Sequence, residues 1–112
     1  MSKTIFIDLD GTLVFHNYEP LIQDDIFLPG AIDFLIRCRQ SNYYCILTTN
    51  RSKINSYQVI EHLYFNYNFK FDREIFDLPV GIRFIINDNK NEEIRAIAIP
   101  VERNFGLKDI FV

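Results

Sequence analysis

Cysteine, glycine, proline and surplus positive charge are all scarce in this sequence, and each shortage narrows what the chain can be. The two cysteines, Cys38 and Cys45, form no CxxC pair and sit within apolar segments, where cysteine serves as a small hydrophobe. Buried thiols are therefore expected, with a disulfide or redox pair as the weaker alternative. Four glycines and four prolines in 112 residues argue against collagen-like and disordered chains. No apolar run approaches the roughly 20 residues that span a bilayer, and the N-terminal residues lack the pattern of a secretory leader. A cytoplasmic protein without membrane contact is expected. The net charge of -3 and a pI near 5.3 argue against broad binding to nucleic acid. An acidic chain that handles phosphate would want a metal.

What is present is an ordinary globular composition, 48% hydrophobic and 24% charged. At this length one domain is expected, burying roughly 65% of its unfolded surface. Eleven Phe and six Tyr are many for the size. They fit either a generous core or a surface that would permit a homo-oligomer.

Along the chain, short apolar strands alternate with helical periods. Thr4-Ile5-Phe6-Ile7 reads as a buried strand running into Asp8-Leu9-Asp10-Gly11-Thr12. Residues 14–28 are irregular. Pro29-Gly30 then introduces a helix with Ala31, Ile32, Leu35 and Ile36 on one face, ending at Ser41-Asn42. Tyr43 to Leu47 is a nearly continuous apolar strand that exits into Thr48-Thr49-Asn50-Arg51. From Lys53 to about Phe65, the positions Ile54, Tyr57, Ile60, Leu63 and Tyr64 predict a second helix. Residues 69–77 read ambiguously, as a short strand and a turn. Arg83 to Ile86 and Ala96 to Ile99 are two further strand candidates, the first leading into Asn87-Asp88-Asn89-Lys90. This alternation implies an α/β fold, a mostly parallel sheet with helices on both faces.

Three polar clusters therefore stand at strand exits, where open parallel sheets bind ligands, near the point of strand-order reversal. Asp8 and Asp10 are two residues apart and project from the same face while strand geometry lasts. Each carboxylate would repel a phosphate charge by about 4 kcal/mol at 4 Å and an effective dielectric of 20, so the site needs a cation. Magnesium suits it. Its preference for hard oxygen ligands and substrate phosphate is met by carboxylates such as Asp8 and Asp88, with Asp10 beside them.

The run Asp8-Leu9-Asp10-Gly11-Thr12-Leu13-Val14 resembles the DxDGT signature of the haloacid dehalogenase (HAD) superfamily of phosphohydrolases. The resemblance implies a single Rossmann-like domain over residues 1–112 without a cap domain. It further implies that Asp8 is a nucleophile forming an aspartyl-phosphate and that Asp10 protonates the leaving oxygen and later activates water. Thr49, followed by Asn50, resembles the family's second motif, and its hydroxyl would hold a phosphate oxygen. Ile85-Ile86-Asn87-Asp88 is similar to the acidic motif, with Asp88 a magnesium ligand and Asn87 replacing an acid. The family's third-motif lysine has no counterpart over 76–82. Arg51, Lys53, Arg83 and Lys90 are substitutes, and Lys90 is chosen because it directly follows the metal-binding turn. The tail Arg103-Asn104-Phe105-Gly106-Leu107 looks like small HAD proteins of sugar and surface-polysaccharide metabolism.

The expected function is thus magnesium-dependent hydrolysis of a small phosphorylated metabolite such as a sugar phosphate. The rival readings are a phosphatase of nucleic-acid ends and a catalytically silent HAD-like partner subunit. The bland alternatives are a helix-capping Thr49, a turn-forming Asp88 and a solvated Lys90.

Overall fold

The computed structural model describes residues 2–16 and 25–112, so part of the irregular stretch expected over 14–28 lies outside the described residues. The elements follow in the order β1 (Thr4–Asp8), α1 (Ala31–Gln40), β2 (Tyr44–Thr48), α2 (Lys53–Tyr67) and β3 (Arg73–Ile75). The strands form one parallel sheet in the order β1-β2-β3. The expected α/β architecture with a parallel sheet is present, and the ambiguous stretch over 69–77 supplies β3.

Local chemistry explains where the helices begin and end. Gly30 stands before α1 at φ +78, and a Cβ there would meet the Lys108 backbone nitrogen at 2.6 Å, so the position requires glycine on both counts. Ser52 caps α2 by accepting the Asn55 backbone N–H on its hydroxyl at 3.2 Å. Asn68 ends that helix in the left-handed region, its backbone N–H returning to the Tyr64 carbonyl and that of Phe69 to the Leu63 carbonyl.

Alternation along the strands sorts the sheet into a buried and an open face. Ile7, Cys45 and Leu47 join one core with Ala31, Phe34, Leu35 and Cys38 of α1 and Val59 and Leu63 of α2. Phe6, Tyr44 and Ile75, on the opposite face, remain exposed. The helices expected on both faces thus share one. A strand order that never reverses has this result, because successive right-handed crossovers stack their helices on the same side. The expected reversal point is likewise absent among the described strands.

Helix α2 also faces the core differently from the expected pattern. Its buried residues are Ser56, Val59 and Leu63, whereas Ile54, Tyr57 and Tyr64 are exposed. Ser56 is buried with its hydroxyl satisfied, donating to the Ser52 carbonyl at 2.9 Å.

The two C-terminal strand candidates do not form. Residues 83–86 and 96–99 have no strand structure, and Ile86 is 96% exposed. The stretch 76–82 after β3 falls short of the dozen or so residues that a crossover to another parallel strand needs. The tail nevertheless returns to the body: Leu107 is buried and donates its N–H to the Pro29 carbonyl at 2.8 Å. Arg37 lies over the Phe111 ring and donates to the Ile110 carbonyl.

Cys38 and Cys45 are free and buried, as small hydrophobes should be. Hydrogen bonding between the sulfurs lowers the Cys38 pKa and, with burial, raises that of Cys45. No described helix is long and apolar enough to cross a membrane.

Candidate active site

The exits of β1 and β2 lie side by side, with Asp8 in register opposite Thr48 and Thr48 opposite Ile75. Beyond Asp8 the chain folds into a tight loop whose hub is the Leu9 carbonyl, which accepts the N–H groups of Thr12, Leu13 and Val14. Leu9, Leu13 and Val14 are wholly buried and anchor the loop from beneath. Gly11, at φ +81, supplies the reversal. The polar residues of this loop are therefore held on a rigid base.

Both oxygens of the Asp8 carboxylate are engaged. Oδ2 accepts from the Thr12 hydroxyl at 3.3 Å, and Oδ1 accepts from Arg83 Nη1 at 3.2 Å. The same nitrogen lies 3.3 Å from the Thr48 hydroxyl, which itself donates to the Ile7 carbonyl at 3.2 Å. Carboxylate, hydroxyl and guanidinium thus converge at one point on the sheet's rim.

Asp10 has a separate partner. Arg51 Nε donates to its two oxygens at 3.1 and 2.9 Å, and Nη2 donates to Oδ1 at 2.5 Å. The other side of that guanidinium grips Asp25, with Nη2 at 2.7 Å and Nη1 at 3.1 Å. These hydrogen bonds, to Asp10 first and Asp25 next, raise the Arg51 pKa and outweigh the opposing effect of burial. One cation ties the first loop, the second strand exit and residue 25 together.

The remaining expected site residues are scattered. The Thr49 side chain is 0% exposed, and its hydroxyl accepts the Arg51 backbone N–H at 3.1 Å, so it shapes the turn that aims Arg51. Asn50 is exposed on that turn. Asp88 and Lys90 lie on an exposed stretch, where Lys90 and Glu93 exchange backbone hydrogen bonds. Among the described residues no three His, Cys, Asp or Glu side chains gather as a metal ion would require. The arrangement does not fit the expected set of Asp8, Asp10 and Asp88 around magnesium: Asp10 is neutralised by Arg51, and Asp88 belongs to no such cluster.

Three contributors escaped the sequence reading. Thr48, rather than its neighbour, turns its hydroxyl toward Asp8 and Arg83; the strand period, which aligns it with Asp8, is the signal that identifies it. Asp25 had no signal, lying in an irregular stretch. Asn104 pins the first loop from the far end of the chain: its Oδ1 accepts the His16 N–H at 2.6 Å, its Nδ2 donates to the His16 carbonyl, and its backbone N–H donates to the Gly11 carbonyl.

No family model matches this chain, and no solved structure matches it. Two curated proteins do. Over 55 residues the chain is 40% identical to the D-glycero-beta-D-manno-heptose-1,7-bisphosphate 7-phosphatases of Haemophilus influenzae and Pasteurella multocida. In each case the match covers 48% of this chain and 30% of the relative, so the chain spans under a third of the relatives' length. About half of this sequence is thus similar to part of two sugar-bisphosphate phosphatases.

Proposed function

We propose that this chain is a HAD-like phosphomonoester hydrolase whose nucleophile is Asp8 and whose substrate is a sugar phosphate or a similar small phosphorylated metabolite. The observation that carries the reading is the juxtaposition of Asp8 with the Thr48 hydroxyl at the carboxyl ends of two parallel strands, on a loop of sequence DxDGT. The partial likeness to phosphatases supports it.

In this reading an Asp8 oxygen attacks phosphorus, the bond from phosphorus to the leaving oxygen breaks, and an aspartyl-phosphate forms. The departing alkoxide takes a proton from Asp10. Water then attacks the phosphorus, Asp10 takes up a proton, and inorganic phosphate leaves with Asp8 restored. Both Asp10 oxygens are turned to Arg51, so the carboxylate reaches the leaving oxygen only after that contact opens. Thr12 orients the Asp8 carboxylate, and Thr49 and Asn50 complete the turn on which substrate would rest. Magnesium dependence belongs to the proposal as chemistry that would offset the phosphate charge; Asp10 and Asp88 would join Asp8 around it only after leaving their present surroundings.

The pairing of Arg51 with Asp10 favours a second reading, a silent partner subunit whose acid-base carboxylate is engaged elsewhere. Hydrolysis of p-nitrophenyl phosphate, with and without magnesium, by wild type and Asp8→Asn decides between them. Turnover in wild type alone is expected for the enzyme. Equal background rates in both proteins would leave the silent subunit.

A further inference from the structure

We propose that two copies of this chain associate by exchanging the stretch 82–86, each copy laying it as a fourth strand along the free β1 edge of the other. The inference is independent of the hydrolase reading and starts from surface area. The chain exposes 8479 Å², whereas a folded monomer of its 13.3 kDa exposes about 6,500 Å². Its radius of gyration of 14.4 Å likewise exceeds the roughly 13 Å of a compact domain of this length. The surplus of about 2,000 Å² is more than twice the roughly 800 Å² that each partner contributes to a stable interface of standard size.

The two edges of the sheet are not alike. β3 is three residues long and carries Arg73 and Glu74, charges that discourage further pairing. β1 runs for five residues, and Thr4 to Ile7 contain no charge, proline or glycine. Its one strand neighbour among the described residues is β2. The Tyr44 N–H donates to the Lys3 carbonyl at 2.8 Å, so the odd-numbered residues of β1 hold the ladder to β2 and the backbone of Thr4 and Phe6 points outward. No backbone group of the other described residues meets it there, and both residues are exposed.

Residues 82–86 are the complement of that edge. Ile82, Phe84, Ile85 and Ile86 are all more than half exposed, and no backbone hydrogen bond joins the stretch to the rest of the described chain. Four apolar residues of β type in a run of five have the composition of a strand covered on both faces. The side-chain hydrogen bonds that tie the stretch to its own body are those of Arg83 with Asp8 and Thr48. The ion pair among them, its side chains 41% and 39% exposed, costs little to release. Pairing within one chain is opposed by the connection: 76–82 is too short for a parallel crossover, and Ile86 stands clear of its own β1. A second copy has no such limit. Each chain offers one edge and one stretch, so a two-fold exchange uses both and closes at two copies.

Sedimentation equilibrium from micromolar to millimolar protein, with amide hydrogen exchange over the same range, tests this on wild type, Phe84→Asp and Ile85→Pro. Ile54→Asp, which alters a similarly exposed apolar side chain on α2, is the control. Wild type should reach twice the chain's 13.3 kDa, and the amides of Phe6 and of residues 84–86 should slow together as the dimer forms. Phe84→Asp puts a charge on the added strand and Ile85→Pro removes one of its donors; each should weaken association tenfold or more, and Ile54→Asp less than twofold. Chymotrypsin cleavage after Phe84 belongs to the dissociated chain and should slow as wild-type concentration rises. A monomer at every concentration, aggregates without a defined dimer, or a dimer that either variant retains overturns the proposal. Protection at residues 6 and 84–86 that does not change with concentration, the mark of pairing within one chain, also overturns it. So does equal weakening by Ile54→Asp, the mark of unspecific apolar contact. Positions 84 and 85 lie outside every helix and strand, so the dilute variants should match dilute wild type by circular dichroism. If Phe84→Asp does not, Phe84→Lys carries the same comparison.

Discussion

Arg51 bears more of the local electrostatics than any other residue of the site, since its guanidinium balances Asp10 and Asp25 while its backbone N–H is fixed by Thr49. All three charged side chains are about one-fifth exposed, between the weak surface pair and the costly buried one. Truncating the cation leaves two carboxylates facing each other without it. Arg51→Ala should lower the free energy of unfolding by about 2–3 kcal/mol, measured by urea denaturation, whereas Arg51→Lys should recover only part because it cannot grip both acids through a planar fork. A loss under 0.5 kcal/mol would mean that solvent screens the cluster and that Asp10 is not held as the structure shows it.

At the scale of elements, what could be read from the sequence and what could not divide along sequence separation. The apolar runs at 4–7 and 43–47, and the helices beginning at 31 and 53, announce themselves because strand and helix periods are local properties. So does the exit of β1, where Asp8, Asp10 and Gly11 follow at once. The rotation of α2 was hidden because burial of Ser56 depends on what the rest of the chain packs over it, not on the helix's own hydrophobicity. Residues 83–86 read as a strand on composition alone, yet the chain between them and β3 is too short for a crossover. Partners 75 or 88 residues apart, Arg83 with Asp8 and Asn104 with His16, leave no periodic trace at all. Asn104 illustrates the cost of such a contact. It sits at φ +66, which asparagine tolerates better than most residues, and both ends of its amide bind the His16 backbone. Asn104→Ala should therefore cost about 2 kcal/mol by thermal or urea unfolding. Asn104→Gly, which relieves the backbone but not the lost hydrogen bonds, should cost less; equal stability of all three proteins would remove Asn104 as the latch of the first loop.

The molecule as a whole divides into a packed half and an extended one, reflected in its 50 × 31 × 25 Å dimensions. The core of the sheet and helices is continuous, whereas Val80, Ile82, Phe84, Ile86, Ile94 and Ile97 are all more than half exposed along a stretch without helix or strand. Backbone with so little packing opens at small free-energy cost. Limited chymotrypsin digestion should cut after Phe84 well before Phe65, which is as exposed but lies within α2. Cleavage in the reverse order would show that this stretch is better packed than the structure has it.

The proposed chemistry depends on whether Asp8 itself is phosphorylated, and borohydride trapping reads that directly. Protein turning over a phosphomonoester is quenched with borohydride, which reduces an aspartyl-phosphate to homoserine, and the peptide containing residue 8 is sequenced by mass spectrometry. The account predicts homoserine at position 8 in wild type with substrate, and unmodified chain in Asp8→Asn or without substrate. Continued hydrolysis by Asp8→Asn, or turnover by wild type with Asp8 never modified, would contradict it.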